Sequence, residues 1–313
     1  MLTVFGSIAL DTTRTPFETK ERILGGAATY ASMAASFFVP VSLIGAIGND
    51  FPDKYYTQLS NKLDIKGLER FNDKKTFFYD STFDFDLSHR TTNITELNVI
   101  ENFEPIVPAE YKNSKYIYLA NNDPEQNIQI IDSFNSPELI ICDTIEYWIH
   151  NKKDSVISMI EKTNGVVIND QEARLLCNNS NLVKCGKQLL SYGPNFAIIK
   201  KGEHGVLLFI GDEVIPIPGY PLESVTDPTG AGDSFAGGFM GYLISKSKGH
   251  LANDLALVKE SILMGSIMGT FAIEEFGIDG LMRITIEDIV DRYDKYKKHN
   301  RTKQSILNKM KVQ

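Results

Sequence analysis

Apolar positions along this chain fall into short runs separated by longer segments with helical spacing. Residues 2–5 form an apolar run closed by Gly6, the pattern of an inner strand buried on both faces of a parallel sheet. Gly25-Gly26 then opens an Ala-rich helical segment that reaches about residue 38. A strand is expected at 41–47 and a helix at 50–63. The alternation resumes with strands at 116–119, 139–142, 166–168 and 196–199, and with helices at 125–134, 172–176 and 182–191. Strands alternating with helices of these lengths predict a parallel sheet covered by helices. Further on, 230–244 and 252–271 read as two long helices dense in Gly, Ala, Ser and Met, hence closely packed. Thr285-Ile-Glu-Asp288 has the form of a capping box and starts a final amphipathic helix.

Two stretches, 11–22 and about 73–104, break the pattern. Within the second, 75–79 and 91–100 carry Thr, Phe, Tyr, Val and Asn in short extended runs, and together the two stretches predict a small β-rich excursion. That excursion is either a lid or dimerisation flap over a ligand site, or a surface sheet with no part in binding. No internal repeat or low-complexity linker divides the chain, so 1–313 is expected to be one domain with the lid inserted in it. The longest apolar-leaning stretch, 27–48, is broken by Pro40 and reads as buried helix, turn and strand, not as a membrane span.

Composition narrows the function. The 313 residues are 42% hydrophobic and 23% charged, within the globular range. A net charge of −8 speaks against general nucleic-acid binding, though a phosphate-bearing small ligand is compatible with a local site of opposite sign. The tail at 292–313, with eight Lys/Arg and one acid, Asp294, is either a contact for an anionic partner or a solvated helix end. Cys142, Cys177 and Cys185 form no close pair and have no neighbouring His, so reduced structural thiols are expected. The start, Met-Leu-Thr-Val-Phe-Gly, lacks the basic and apolar regions of a signal peptide, and a cytoplasmic location is expected.

The strongest chemical feature is Asp227-Pro-Thr-Gly-Ala-Gly-Asp-Ser-Phe. Gly230, Ala231 and Gly232 have almost no side chain, so their backbone can approach a ligand closely. They stand where a long helix begins, and a first helical turn leaves amides unpaired and favours an anion such as a phosphoryl group. Asp233 in that turn suits a base that takes a hydroxyl proton, or else a helix-capping acid beside packing glycines. Other phosphate motifs fit poorly: no Gly-x4-Gly-Lys-Ser/Thr occurs, and Phe235 stands where a dinucleotide fingerprint requires its third Gly.

Four motifs in order now carry a resemblance: Gly25-Gly26, Asn169-Asp-Gln-Glu172, Gly202-Glu-His-Gly205 and the 227–238 segment. Together they resemble the ribokinase-like, or PfkB, family of carbohydrate and nucleoside kinases over nearly the whole chain. The resemblance implies an α/β three-layer sandwich with a mostly parallel central sheet and a small β-rich lid. It implies ATP-dependent transfer of the γ-phosphoryl to a hydroxymethyl group of a small sugar. An adenosine-type nucleoside kinase is the alternative, and a non-catalytic nucleotide-binding regulator is a third reading. Retention of Asp233, Gly230, Gly232, Asn169 and Glu172 speaks against the regulator, because a pure binder has no use for the base.

Carried onto this chain, the resemblance makes Asp233 the base and Gly230, Ala231 and Gly232 the anion hole. Asn169 and Glu172 would organise Mg²⁺ and its waters near the phosphates, with a helix-start turn as the plainer reading. Gly202 and Gly205 would shape the nucleotide turn, and 265–277, starting at Gly265, the adenine pocket. Asp11 would hold substrate hydroxyls, with Gly25 and Gly26 lining the pocket; Asp50 would lie near the substrate or cap a helix. Three positions depart from the pattern. Tyr30 stands where many relatives have Asn, and its ring is expected to stack on a base or pack against the lid. With the aromatics Phe77, Phe78, Tyr79, Phe83 and Phe85, which are equally read as lid or dimer core, it points to the nucleoside alternative. Lys200 replaces a frequent Thr and is expected either to approach the ATP phosphates or to be solvated; Pro228 also replaces Thr. Asp227 and Thr229 match the positions that hold a monovalent cation in K⁺-activated relatives, whereas 274–280 departs from that pattern. Expected partners are a small-molecule sugar or nucleoside and a second copy through the lid, with neither nucleic acid nor membrane.

Overall fold

The computed structural model describes residues 1–247 and 254–300, so the end of the basic tail lies outside the described residues. Strands β1 (Leu2–Phe5), β2 (Ala9–Arg14) and β3 (Thr19–Gly25) precede helix α1 (Ala27–Ala35). Next come β4 (Val41–Ile47), α2 (Asp53–Ser60), β5 (Asp64–Arg70), β6 (Phe77–Phe83) and β7 (Arg90–Glu96). The middle of the chain supplies β8 (Tyr116–Leu119), α3 (Pro124–Ile131), β9 (Leu139–Cys142), α4 (Glu146–Asn151) and α5 (Lys153–Glu161). It continues with β10 (Gly165–Asn169), α6 (Asp170–Cys177), α7 (Leu182–Ser191) and β11 (Phe196–Lys200). A hairpin of β12 (Val206–Ile210) and β13 (Glu213–Ile217) leads to α8 (Ala231–Lys246) and α9 (Leu255–Ala272). Helices α10 (Asp279–Arg283) and α11 (Ile286–Asn300) follow.

Nine strands form the main sheet in the order β13-β12-β11-β10-β9-β8-β1-β4-β5. All neighbours are parallel except the β11-β12 and β12-β13 pairs. Alternate residues of one strand enter opposite cores: Leu2 and Val4 pack with α1, α8 and α9 on one face, while Phe5 packs with Ile130, Val156 and Leu176 on the other. This is the expected α/β three-layer sandwich. The antiparallel hairpin, β5, α4 and α5 were not expected from the apolar pattern, and α2 begins at Asp53, later than anticipated.

A second sheet of four strands, β3-β2-β6-β7, uses residues 9–25 and 77–96, close to the two predicted stretches. Its outer strand β7 is exposed throughout. Asp50 ties this sheet to the main body: Oδ1 accepts from Thr76 N–H at 2.7 Å and Oδ2 from the Arg22 guanidinium at 2.7 Å. It does not cap α2, whose N-cap is Pro52.

Helix α8 lies against α1 and α9 through small residues. A Cβ on Gly237 would stand 2.0 Å from the Ala31 carbonyl oxygen, and one on Gly241 2.9 Å from that of Ala35. Gly237→Ala forces a methyl against backbone that no rotamer can move. It is expected to destabilise the fold by about 1–3 kcal/mol, read as a lower midpoint of thermal unfolding at unchanged kcat. Helix α9 is long and apolar enough to cross a membrane by composition, but 61% of it is buried within this fold and it packs along α8. The three cysteines are buried and free, as expected. The capping box opening α11 also forms: Thr285 N–H donates to Asp288 Oδ2 at 2.8 Å and Asp288 N–H to Thr285 Oγ1 at 3.3 Å.

Candidate active site

In open parallel sheets, ligands bind beyond the carboxyl ends of the strands, and here the polar residues gather along that edge. Ser7 follows β1, Asp143 follows β9, Asn169 ends β10 and Lys200 ends β11. Ser7 also caps α1, its Oγ accepting from Ala27 N–H at 3.2 Å and its carbonyl from Ala28 N–H at 3.0 Å.

Across this edge stands the N-terminus of α8. Gly230 is its N-cap at φ 77°, and the first helical bond closes from Ser234 N–H to the Gly230 carbonyl at 2.8 Å. Ala231 N–H turns back to the Pro228 carbonyl at 3.3 Å, which leaves the amides of Gly232 and Asp233 at the free helix end. The Ala231 amide is therefore taken up within the turn itself. A Cβ on Gly230 would stand 2.4 Å from the Tyr30 ring, and one on Gly232 would stand 2.8 Å from Lys200 Nζ. Thus an aromatic ring underlies the turn and an ammonium flanks it.

Tyr30 is only 1% exposed, so its ring has no face for a base to stack on. It supports the anion turn from beneath, and the expected stacking on a ligand is corrected on that ground. Gly265 is a second correction: it is buried, and a Cβ there would stand 2.6 Å from the Phe235 carbonyl oxygen. Its missing side chain serves α8–α9 packing, its Cβ direction meeting Phe235 and Phe239.

Buried and half-buried acids cluster at this edge. Burial pushes Asp11 up to about 7, reinforced by the charges of Asp227 and Asp233. Gly25 is needed beside it, since a Cβ would lie 1.9 Å from Asp11 Oδ2, while Gly26 takes φ 94°. Asp233, half-buried, is raised to about 6 by burial and by Asp143, against the pull of Lys200 and Arg90. Burial and Asp143 likewise raise Glu172 to about 8. Asp227 is raised by burial and opposed by Thr229, whose N–H donates to its Oδ1 at 2.9 Å.

Asn169 and Glu172 form a reciprocal capping box at the start of α6, with bonds of 2.7 and 2.8 Å. Asn169 pairs in register with Lys200 on the next strand, so the box and the ammonium share one side of the cleft. The Gly202 and Gly205 turn follows, at φ 55° and 78°. A Cβ on Gly205 would meet the Ile217 carbonyl at 2.1 Å, whereas Gly202 has open space around it.

Two functional candidates escaped the sequence reading. Asp143, 4% exposed, accepts from Lys200 Nζ at 2.9 Å and from the Tyr118 hydroxyl at 3.3 Å. Its one legible signal was an acid directly after an apolar strand, at the edge where α/β sites form. Arg90 opens β7 with its guanidinium 5.2 Å from the centre of the Tyr79 ring, and its charge lowers Asp11, Glu172, Asp227 and Asp233. Nothing local marks it, because only the pairing of the small sheet brings it over the acids.

Residues 4–280 match the pfkB family of carbohydrate kinases, and the chain belongs to this family. It is 29% identical over 245 residues to the cytidine kinase of Thermococcus kodakarensis, covering 76% of this chain and 87% of the relative. To the nucleoside kinase of Methanocaldococcus jannaschii it is 24% identical over 273 residues, 87% of this chain and 86% of the relative. Its fold matches that of Burkholderia thailandensis nucleoside kinase solved with inosine at a TM-score of 0.76, with 20% identity over 95% of this chain and 98% of the other. The chain is therefore a kinase with a ribokinase-like fold, as the four motifs implied.

Proposed function

We infer that this kinase transfers the γ-phosphoryl of ATP to the hydroxymethyl group of a nucleoside. A free small sugar is the second acceptor class. The single observation that carries the chemistry is Asp233 in the first turn of α8, beside free amides and the Lys200 ammonium. The nucleoside is favoured by the relatives named cytidine and nucleoside kinase, which align over most of the chain.

Asp233 takes the proton of the acceptor hydroxyl as that oxygen attacks phosphorus. The amides of Gly232 and Asp233 and the Lys200 ammonium face the negative charge on the transferring group, in a reaction governed by positioning and electrostatics. Asp11, with Gly25 and Gly26 beneath it, holds acceptor hydroxyls. The small sheet closes over them as a lid.

The residues fit a divalent cation carried by the nucleotide. Glu172 is a buried carboxyl raised first by its burial and then by Asp143, and no group of three or more His, Cys, Asp or Glu forms a protein cage among the described residues. When bound, Mg²⁺ neutralises phosphate charge; Asn169 and Glu172 would hold its waters. A monovalent cation fits the 227–229 loop, where Asp227 Oδ2 and Thr229 Oγ1 are buried without hydrogen-bond partners among the described residues. K⁺ is expected to raise turnover at fixed ionic strength; equal rates in K⁺ and in tetramethylammonium would remove this cation from the account.

The test of function is ADP release from Mg·ATP across a panel of nucleosides and free sugars. Release with nucleosides that is absent from Asp233→Asn is expected. Release with free sugars alone moves the acceptor to the second class. ATP binding without turnover on any acceptor would favour the regulator.

A further inference from the structure

Lys200 is the ammonium nearest the anion turn, yet three carboxyls compete for it. The charges of Asp143, Glu172 and Asp233 all act on it, and all favour its charged form against burial. One of them wins in the geometry: Nζ is bonded to Asp143 Oδ2 at 2.9 Å, with the Lys200 side chain 14% and the Asp143 side chain 5% exposed. Asp143 is itself held. Its Oδ1 accepts from Thr144 N–H at 2.7 Å, and Oδ2 also takes the Tyr118 hydroxyl at 3.3 Å. Both oxygens are engaged, so the carboxylate cannot swing and the ammonium is fixed with it.

We propose that Asp143 is a positioning residue for phosphoryl transfer, which holds the Lys200 ammonium against the Gly230–Gly232 turn and keeps it off the base Asp233. The proposal rests on the role given above to Asp233 and the turn. An ammonium has three N–H donors. Asp143 occupies one and leaves the others for an anion seated on the turn, where Nζ lies 2.8 Å from the Cβ position of Gly232. Without Asp143, the nearest alternatives for the ammonium are Glu172 and Asp233. Pairing with Asp233 would block the base and remove positive charge from the phosphoryl.

The charged and titratable groups acting on or around Asp233 come from every side of the cleft. Asp143 follows β9, Lys200 ends β11 and Arg90 opens β7. Asp11 on β2, Tyr30 on α1 and Tyr118 on β8 each feel the Asp233 charge. Replacing Asp143 by Asn removes one negative neighbour and releases the ammonium. Both changes stabilise the Asp233 carboxylate.

The experiment compares the wild-type enzyme with Asp143→Asn, Lys200→Met and the double variant, each at saturating ATP and acceptor across pH. Asp143→Asn is expected to lower kcat by about 10- to 100-fold, in keeping with the sensitivity of catalysis to small misplacements. Its acid limb should move to lower pH. The double variant should be no slower than Lys200→Met, since Asp143 acts through the lysine. Losses that multiply in the double variant would overturn the proposal, as would an unmoved acid limb in Asp143→Asn at reduced kcat. Lys200→Met leaves Asp143 buried without its partner and is the variant most prone to misfold. The double variant removes both charges, and the pH profile of Asp143→Asn decides without either. A wild-type enzyme that transfers nothing would fail the function itself; an active one with multiplicative losses fails this inference alone.

Discussion

Asp233→Asn is expected to lower turnover by roughly 10² to 10⁴ while ATP binding stays near wild type. The amide keeps the shape and the helix-end position of the carboxyl but accepts no proton, so the loss falls on kcat. Equilibrium binding of ATP alongside steady-state rates separates the two. Turnover at the parental rate would refute the base assignment. The wild-type pH profile carries the same argument. Asp233 is raised to about 6, chiefly by burial, and a base must be ionised, so activity should rise through about pH 6 and level off above it. Stability should run the other way. The ordinary value is 3.8, so protonation of Asp233 favours the folded state. That contribution is fully present below the unfolded value and lost as pH rises through the folded one. Between pH 5 and 8 the nucleotide-free Asp233→Asn protein should therefore lose less thermal stability than wild type.

Gly230→Ala is expected to be the most damaging single methyl. At φ 77° the residue is in the left-handed region, which costs an L-residue about 1–2 kcal/mol. The added carbon would also stand 2.4 Å from the Tyr30 ring, which is 1% exposed and has nowhere to retreat. Forced overpacking of this kind costs a further 1–3 kcal/mol or so. Relief requires the turn itself to shift, which moves the amides of Gly232 and Asp233 away from the phosphoryl. Loss of one such donor costs about 10² to 10³ in kcat, and a loss of that order is expected here. Gly211→Ala is the control. It has φ 54° but open space around it, at the tip of the β12–β13 hairpin. It should lower thermal stability modestly and leave kcat unchanged. Equal kcat losses in the two variants would mean that general destabilisation, not the anion turn, explains Gly230→Ala.

Much of this protein was legible in the linear order of its residues. Apolar runs such as Leu2–Phe5 and Leu139–Cys142 are strands because burial on both faces demands continuous apolar side chains. The 227–238 segment announced a tight turn at a helix start, because closely spaced glycines before a helix serve close backbone approach whatever surrounds them. The β12–β13 hairpin escaped the α/β alternation because its strands follow β11 antiparallel, with no helix between them, and β13 is mostly exposed or half-buried. Helix α4 escaped because its six residues are too few to set a period.

What the residues determined by themselves was local: strand and helix positions, the glycines that backbone geometry requires, and an acid, Asp233, in the first turn of α8. The tertiary structure decided which distant groups meet. Tyr30 and Gly230 are 200 positions apart in number yet in contact, so a ring that seemed free for a ligand became the support of the turn. Gly265 went to a helix–helix contact, Asp50 to the junction of the two sheets, and Lys200 to Asp143, 57 residues before it. Charge and packing act through space, and the chain reveals such pairings only once the sheet has set its strands side by side.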